Sequence, residues 1–305
     1  MALAATFSAS AQQKYTVSIK NNLKSALNDV PATLDLRKLK DVKSATVIVD
    51  GKEIPYQIDD LDGNGTNDEL CFLVDLEGKQ TKTATITLSD KANDKQWKAR
   101  TFAEMVLRNP KVKEKNKHDI YLSSITIDKR TTNPYNVLHH HGVAFESELI
   151  AMRIYMDKRQ TIDLYGKFHK GLELEQTQFY TSKEQKAQGY GDDVLWVGNT
   201  FGLGAFRGWN GTEPTLLEDV KHRTQRILTT GPLRTIVEVE DNQWTITPGA
   251  EPVNATIRYT LYAGHRDFDV DVTFNKDVSA YEFSTGIINV KNSTEFSDHK
   301  GLRGC

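Results

Sequence analysis

The chain has 305 residues and a formal net charge of -2, with a pI near 6.5, enough length for one large β-domain or two smaller ones. That balance argues against a nucleic-acid partner, which demands a cationic face. No apolar run approaches the roughly 20 residues of a membrane-spanning helix, and two cysteines, Cys71 and Cys305, make no disulfide framework.

Residues 1–13 open with an apolar stretch, Ala2 to Phe7, and carry Ala9-Ser10-Ala11 before Gln12. This is the small-x-small pattern of a cleavage site, here without a basic start. The segment reads as the remnant of a secretory signal, which makes the protein periplasmic or secreted, or else as a disordered end.

Residues 14–90 are a series of short alternating runs. Tyr15, Val17 and Ile19 alternate with polar residues, as do Val47 with Val49, and Ala84, Ile86 and Leu88 with threonines. Turn pairs at Asp50-Gly51, Asp62-Gly63 and Glu77-Gly78 separate them, the pattern of a small β-sandwich. Cys71, within CFLVDL, reads as a small buried hydrophobe. Between two of the runs Asp60, Asp62, Asn64, Thr66 and Asp68 put oxygen-bearing side chains at alternate positions, with a glycine at the sixth. Hard oxygen ligands must converge on one cation while the glycine permits the sharp turn, so this stretch is a candidate structural calcium loop. Cys71 stands where an EF-hand needs its glutamate, so the comparison is with shorter loops that join two strands. A solvated Asp/Asn/Gly hairpin is the alternative. Ser89 to Lys98 is charged and reads as a linker.

Residues 99–305 read as a larger β-domain. Ile150, Met152, Ile154 and Met156 share one strand face, with Arg153 and Tyr155 on the other. On the next strand Ile162 and Leu164 oppose Asp163, Tyr165 and Lys167. Pairing Met156 with Ile162 across a loop Asp157 to Thr161 aligns the apolar faces, setting Arg153 opposite Tyr165 and Tyr155 opposite Asp163. Thr181 to Gly189 carries the one good helix signal, a Ser182/Gln185 capping box with Gly189 at the end. The glycine-rich GNTFGLGAFRGWNG lacks the strand-to-helix setting of a nucleotide loop. Asn254 to Phe274 reads as a hairpin turning at Ala263-Gly264, with an aspartate-rich solvated face.

Several residues could carry chemistry. His139, His140 and His141 offer imidazoles that titrate near neutrality and could act as base or acid, against the plainer reading of a solvated loop. Glu146 and Glu148, ~7 Å apart if on one strand face, could be a glycosidase pair, though a solvent-facing strand gives the same pattern. Arg153 could clamp a uronate carboxylate while Tyr155, Tyr165, Lys167 or a histidine moves the C5 proton. A cation stacked on aromatic rings for stability is the alternative. His222 and Arg223, with Arg226, could add cationic groups. Tyr190, Trp196 and Trp209 could stack on sugars, and Asp192 is a second candidate acid.

At HHGVAFESELIAMRIYMDKRQTIDLYGK, GYGDDVLWVGNTFGLGAFRGW and IRYTLYAGHRDFDV the chain resembles a family of exported proteins of Gram-negative polysaccharide degraders. Members often sit beside, or are fused to, unsaturated uronyl hydrolases. The resemblance covers nearly the whole chain, the Asp60 to Asp68 loop included. It implies an all-β protein, a β-supersandwich like that of galactose mutarotase behind a smaller β-domain, and a role in acidic glycan breakdown. His140, His141, Arg153, Tyr155 and Lys167 lie inside the matching motifs, but the resemblance assigns them no roles. The supersandwich is expected to be C-terminally incomplete, because the chain stops where another strand should follow.

The leading expectation is a lyase on an acidic, uronate-containing poly- or oligosaccharide, with Arg153 on the carboxylate and His140 or His141 with Tyr155 as base and acid. A hydrolase using Glu146 or Asp192, a sugar epimerase and a non-catalytic glycan-binding module are the alternatives. No organic cofactor is expected.

Overall fold

The structure is a computed structural model that describes residues 13–39, 41–114, 118–300 and 303–304. The proposed signal remnant lies outside the described residues except for Gln13, as does Cys305. Two compact units emerge. The first holds the described residues up to Ala99 with Gly231–Leu233 and Tyr262–Gly264, and the second holds Arg100–Thr230, Arg234–Leu261 and the remainder from His265.

In the first unit a four-stranded antiparallel sheet runs in the order Gln13–Lys20, Thr81–Ser89, Ser44–Val49, Lys52–Ile54. A three-stranded sheet runs Leu27–Asp35, Glu69–Leu76, Tyr56–Asp59. Period-2 alternation turns Val47, Ala84 and Ile86 from one sheet and Leu70 and Phe72 from the other into one core. Burying each large aliphatic or aromatic side chain there contributes about 1.5–3 kcal/mol. Cys71 is fully buried. Asp59 pairs with Glu69, so the Asp60 to Asp68 loop joins two neighbouring antiparallel strands.

The second unit is built on two five-stranded antiparallel sheets. One runs Ser124–Asp128, Val220–Thr230, Arg234–Trp244, Val253–Tyr262, Asp269–Phe274; the other runs Asp192–Asp193, Ile162–Gly166, Ile150–Tyr155, Gly142–Ser147, Thr101–Glu104. Val143, Phe145, Met152, Ile154 and Ile162 meet Val237, Val239, Ala255, Ile257 and Tyr259 in a single core. The protein is all-β, and among the described residues the helices are all short. Among the described residues no helix is long and apolar enough to cross a membrane.

Two registers differ from expectation by two residues, which preserves the faces but moves the partners. Ile154, not Met156, pairs with Ile162, so Arg153 faces Asp163 and Ala151 faces Tyr165. The connection is longer because Gln160 takes a left-handed conformation (φ 44) and Tyr155 N–H closes the turn on Thr161 O. Thr260 pairs with Asp269, so the later hairpin has a connection longer than Ala263-Gly264. The helix appears as Lys183–Ala187 with the Ser182/Gln185 capping box formed and Gly189 at φ 88. A four-residue helix, Leu174–Thr177, had no sequence signal.

Candidate functional site

Alternation on the second sheet places Glu104, Ala144, Arg153 and Asp163 in one row across four strands. Glu146, Ala151, Tyr165 and Asp193 form the next row. The small Ala144 and Ala151 leave depth above the sheet, which Leu174 and Phe179 fill. The polar face is therefore covered by a chain segment. Glu146, Arg153, Asp163 and Tyr165 are all buried, as is Glu148, so the solvent-facing strand that was the alternative for the Glu146/Glu148 pair does not form. A buried charge must be paired and hydrogen-bonded, and the face is organised around that need.

Arg153 donates to Asp163 Oδ2 from Nε at 2.9 Å and from Nη2 at 2.6 Å, and to the Tyr180 hydroxyl from Nη1 at 2.8 Å. Its Nη2 also lies 3.1 Å from Asp193 Oδ2, and its guanidinium carbon sits 4.1 Å from the Phe179 ring centre. Tyr155 donates to Asp163 Oδ2 at 3.0 Å. Burial and then the Asp163 charge push the Tyr155 pKa far up, so this phenol keeps its proton.

The three histidines form a buried turn, not a solvated loop. His141 is left-handed (φ 62) and stacks on Tyr135 at 3.7 Å. Burial and the nearby Arg153 hold its pKa at about 4 despite a hydrogen bond to the Tyr135 carbonyl. The neutral ring has one N–H. Tyr135 O, 2.9 Å from Nδ1, can only accept, and Arg108 Nη2, 3.4 Å from the same nitrogen, can only donate; the shorter contact favours the proton on Nδ1. Nε2 is then the acceptor, facing the Tyr180 hydroxyl at 3.2 Å. Tyr180 oxygen thus receives a hydrogen bond from Arg153 and gives its proton toward His141. His140 is fully buried and its Nε2 lies 2.6 Å from Glu104 Oε1. Burial pushes Glu104 up to about 7 and His140 down to about 3. With its ring sealed against Glu104, His140 supports the turn and cannot meet a substrate.

A cavity of about 270 Å³ opens beside this network, walled by Tyr135, Arg159, Tyr180, Asp193 and Trp196, with Arg153, Tyr155 and Asp163 also lining it. Trp196 is 94% exposed at its rim. Arg159 is held by Asp157 at 2.8 Å and lies over the Tyr135 and Tyr155 rings at 4.7 and 5.0 Å.

Of the expected site residues the structure brings His141, Arg153 and Tyr155 together, and leaves the others elsewhere. Glu146 pairs with the Lys167 ammonium and accepts from the Glu173 and Leu174 amides at 2.9 and 3.0 Å. Lys167 also donates to the Ser147 and Gly171 carbonyls, both at 2.7 Å. Both charges are thereby spent on closing the segment over the sheet. Glu148 pairs with Arg100 at 2.7 Å. Tyr165 donates to Glu173 at 2.8 Å. Tyr190 follows the capped helix, Asp192 pairs with Lys186, and Trp209 belongs to a separate three-stranded sheet. His222 lies 3.4 Å from Asp128. Arg223, held by Asp241 at 2.7 Å, lines a neighbouring cavity.

Tyr180, Tyr135, Arg159, Asp193 and Glu104 were missed. Gln178 and Phe179 both take positive φ (52 and 67), twisting Tyr180 back over the sheet, and nothing in the local pattern announces this. Asn133-Pro134 before Tyr135, with Asn133 left-handed at φ 96, was the one readable cue.

In the first unit Asp60, Asp62 and Asp68 each offer an oxygen within 4.8 Å of the others. The Gly65, Gly63 and Asn64 amides donate to Asp60 and hold its carboxyl below the usual range. Asp68 Oδ2 accepts from Leu61 at 2.7 Å. Asn64 Oδ1 accepts from the Thr66 amide at 2.7 Å, so these two residues serve the turn itself. Hard carboxylate oxygens on a tight loop fit calcium.

The chain matches the family model described as Domain of unknown function (DUF4861) over residues 19–305, and it belongs to that family. No curated protein matches it.

Proposed function

We propose that the second unit is an exported lyase that cleaves uronate-containing glycans by β-elimination. The observation that carries this is the Arg153–Tyr180–His141 chain opening into a cavity rimmed by an exposed tryptophan and Arg159. Arg159, whose Nε and Nη2 are held by Asp157, meets the sugar carboxylate through Nη1 and stabilises the enolate-like charge, while Trp196 stacks on a ring face. Tyr180 takes the C5 proton as it passes its own proton to His141 Nε2. The C5–H electron pair becomes the C4=C5 double bond and the C4–O bond breaks. The leaving oxygen is protonated by the Tyr180 hydroxyl, recharged from His141. Arg153, saturated by Asp163, holds Tyr180 in place rather than binding substrate. This changes the expected roles, with Tyr180 standing where Tyr155 was expected.

The test is incubation with acidic polysaccharides while following ultraviolet absorbance and reducing ends together. Both rise under elimination. Reducing ends without the new chromophore mean hydrolysis, and no product with retained glycan binding means a binding module; either result overturns the reading. For the first unit, the three gathered carboxylates support a structural calcium ion that stiffens the loop.

A further inference from the structure

Three further cavities share a wall with the one that Arg153 and Tyr180 line, and the two larger of them meet it at different residues. Tyr180 lines both the central cavity and a second one of about 550 Å³. Tyr135 and Arg159 line both the central cavity and a third of about 460 Å³. Three compartments therefore stand in series, divided by two tyrosines. The outer two differ in chemistry. The Tyr180 side is walled by tyrosine, glutamine, threonine and serine side chains and by His118, with Tyr121 68% exposed; among the described residues its wall contains Glu175 but no lysine or arginine. The Tyr135 side mixes charges, with Lys129, Lys158 and Arg223 among Asp128, Asp157 and Glu218. Lys158 is paired with Glu218, and exposed Lys129 also lines the cavity.

We propose that the three compartments form one groove that takes an internal stretch of glycan, at least three sugars long, with an uncharged sugar beside Tyr121 and a uronate in the centre. The inference rests on the uronate reading of the central cavity and adds to it the length and composition of the substrate. A terminal-sugar enzyme needs one closed pocket. Here the reacting centre lies between open compartments on both sides, so the chain is cut internally. Amide and hydroxyl walls with aromatic faces favour a neutral sugar, because a carboxylate there would meet Glu175 with no lysine or arginine in the same wall. Each additional occupied compartment adds contact area and therefore affinity.

The experiment measures affinity and cleavage for two oligosaccharide series of two to six sugars, one a hexuronic acid alternating with a neutral sugar, the other the same acid alone. It is repeated with Tyr121→Ala and Lys129→Ala, both outside the proton-moving groups. Affinity should rise at least about tenfold from di- to tetrasaccharide, and the alternating series should bind more tightly at equal length. Tyr121→Ala should weaken the tetrasaccharide about tenfold, and Lys129→Ala about threefold, with disaccharide affinity unchanged. Early products should be larger than disaccharides. Length-independent affinity, equal binding of both series or release of terminal disaccharides alone overturns this inference and leaves the lyase reading standing. If neither series binds or is cut, both fall.

Discussion

The Tyr180 hydroxyl lies 3.2 Å from His141 Nε2 and accepts a hydrogen bond from Arg153 at 2.8 Å. One phenol is thus fixed between a guanidinium that donates to its oxygen and a neutral imidazole whose Nε2 can accept its hydrogen bond. Tyr155, one turn of the network away, donates to a carboxylate instead, which keeps its proton bound.

Replacing Tyr180 by phenylalanine should therefore separate chemistry from binding. General acid–base groups contribute about 10²–10⁴-fold, so turnover should fall in that range while glycan affinity and melting temperature change little. Tyr155→Phe should cost less turnover and more stability, because Asp163 loses a donor in a buried place. Comparing turnover, affinity and thermal unfolding for the two variants checks the assignment. Equal losses of turnover would remove Tyr180 from its role.

Alternation carried much of the fold. The Ile150 to Met156 face and the Ile257, Tyr259 and Leu261 face lie in the core as their spacing implies, and the helix cap at Ser182 formed from its local pattern. What alternation could not supply was the second cover. Arg153, Asp163 and Tyr165 read as a polar, aromatic face open to a ligand, because the segment that buries them, Leu174 to Tyr180, has no regular period and turns through two left-handed residues. Once that cover is in place, Glu146 and Lys167 cease to be candidate ligands, while Tyr180 enters the cavity from a part of the sequence that carries no motif.

The buried histidines fix a pH dependence of stability. His139 and His140 are held at about 3 and His141 at about 4, in each case first by burial, against an ordinary 6.5. Between those values the unfolded chain binds protons that the folded chain refuses, so stability is present above 6.5 and is lost as pH falls. Glu104 works in the other direction. Burial raises it from 4.5 to about 7, so the folded state holds its proton and stability falls as pH rises through that window. From 4.5 to 6.5 three groups oppose one, and the net slope is that of two protons, about 1.4 kcal/mol each per pH unit. Glu104→Gln should steepen the slope toward three protons. Unfolding free energy measured by denaturant titration at several pH values reads this directly. An unchanged slope would mean that Glu104 is ionised in the folded protein.

Calcium should raise the melting temperature of the first unit. At a free concentration one hundred times the dissociation constant, linkage gives about 2.7 kcal/mol. Asp62→Asn should weaken this effect. Asp68→Asn should also cost stability without calcium, since Asp68 is buried and accepts the Leu61 amide. Calorimetric titration, with magnesium as the control cation, checks it. No heat and no thermal shift would leave the loop as a turn held by its own amides.

The Glu146–Lys167 pair gives the last test, because it separates a support from a ligand site. Both side chains are buried, and all their polar atoms point into protein: Lys167 to two carbonyls and a carboxylate, Glu146 to that ammonium and two amides. Removing one charge strands the other, at about 3–5 kcal/mol. Lys167→Met should therefore lower the stability of the second unit by that amount. Adding Glu146→Gln should recover part of it, because the neutral amide no longer needs the ammonium while its oxygen still accepts from the Glu173 and Leu174 amides. Since these amides begin the segment that carries Phe179 and Tyr180, the single variant should also lose turnover more than affinity, and the double variant should regain some of both stability and turnover. Urea unfolding and initial rates on the same three proteins decide it. A Lys167→Met protein with native stability but no glycan affinity would return Lys167 to the substrate.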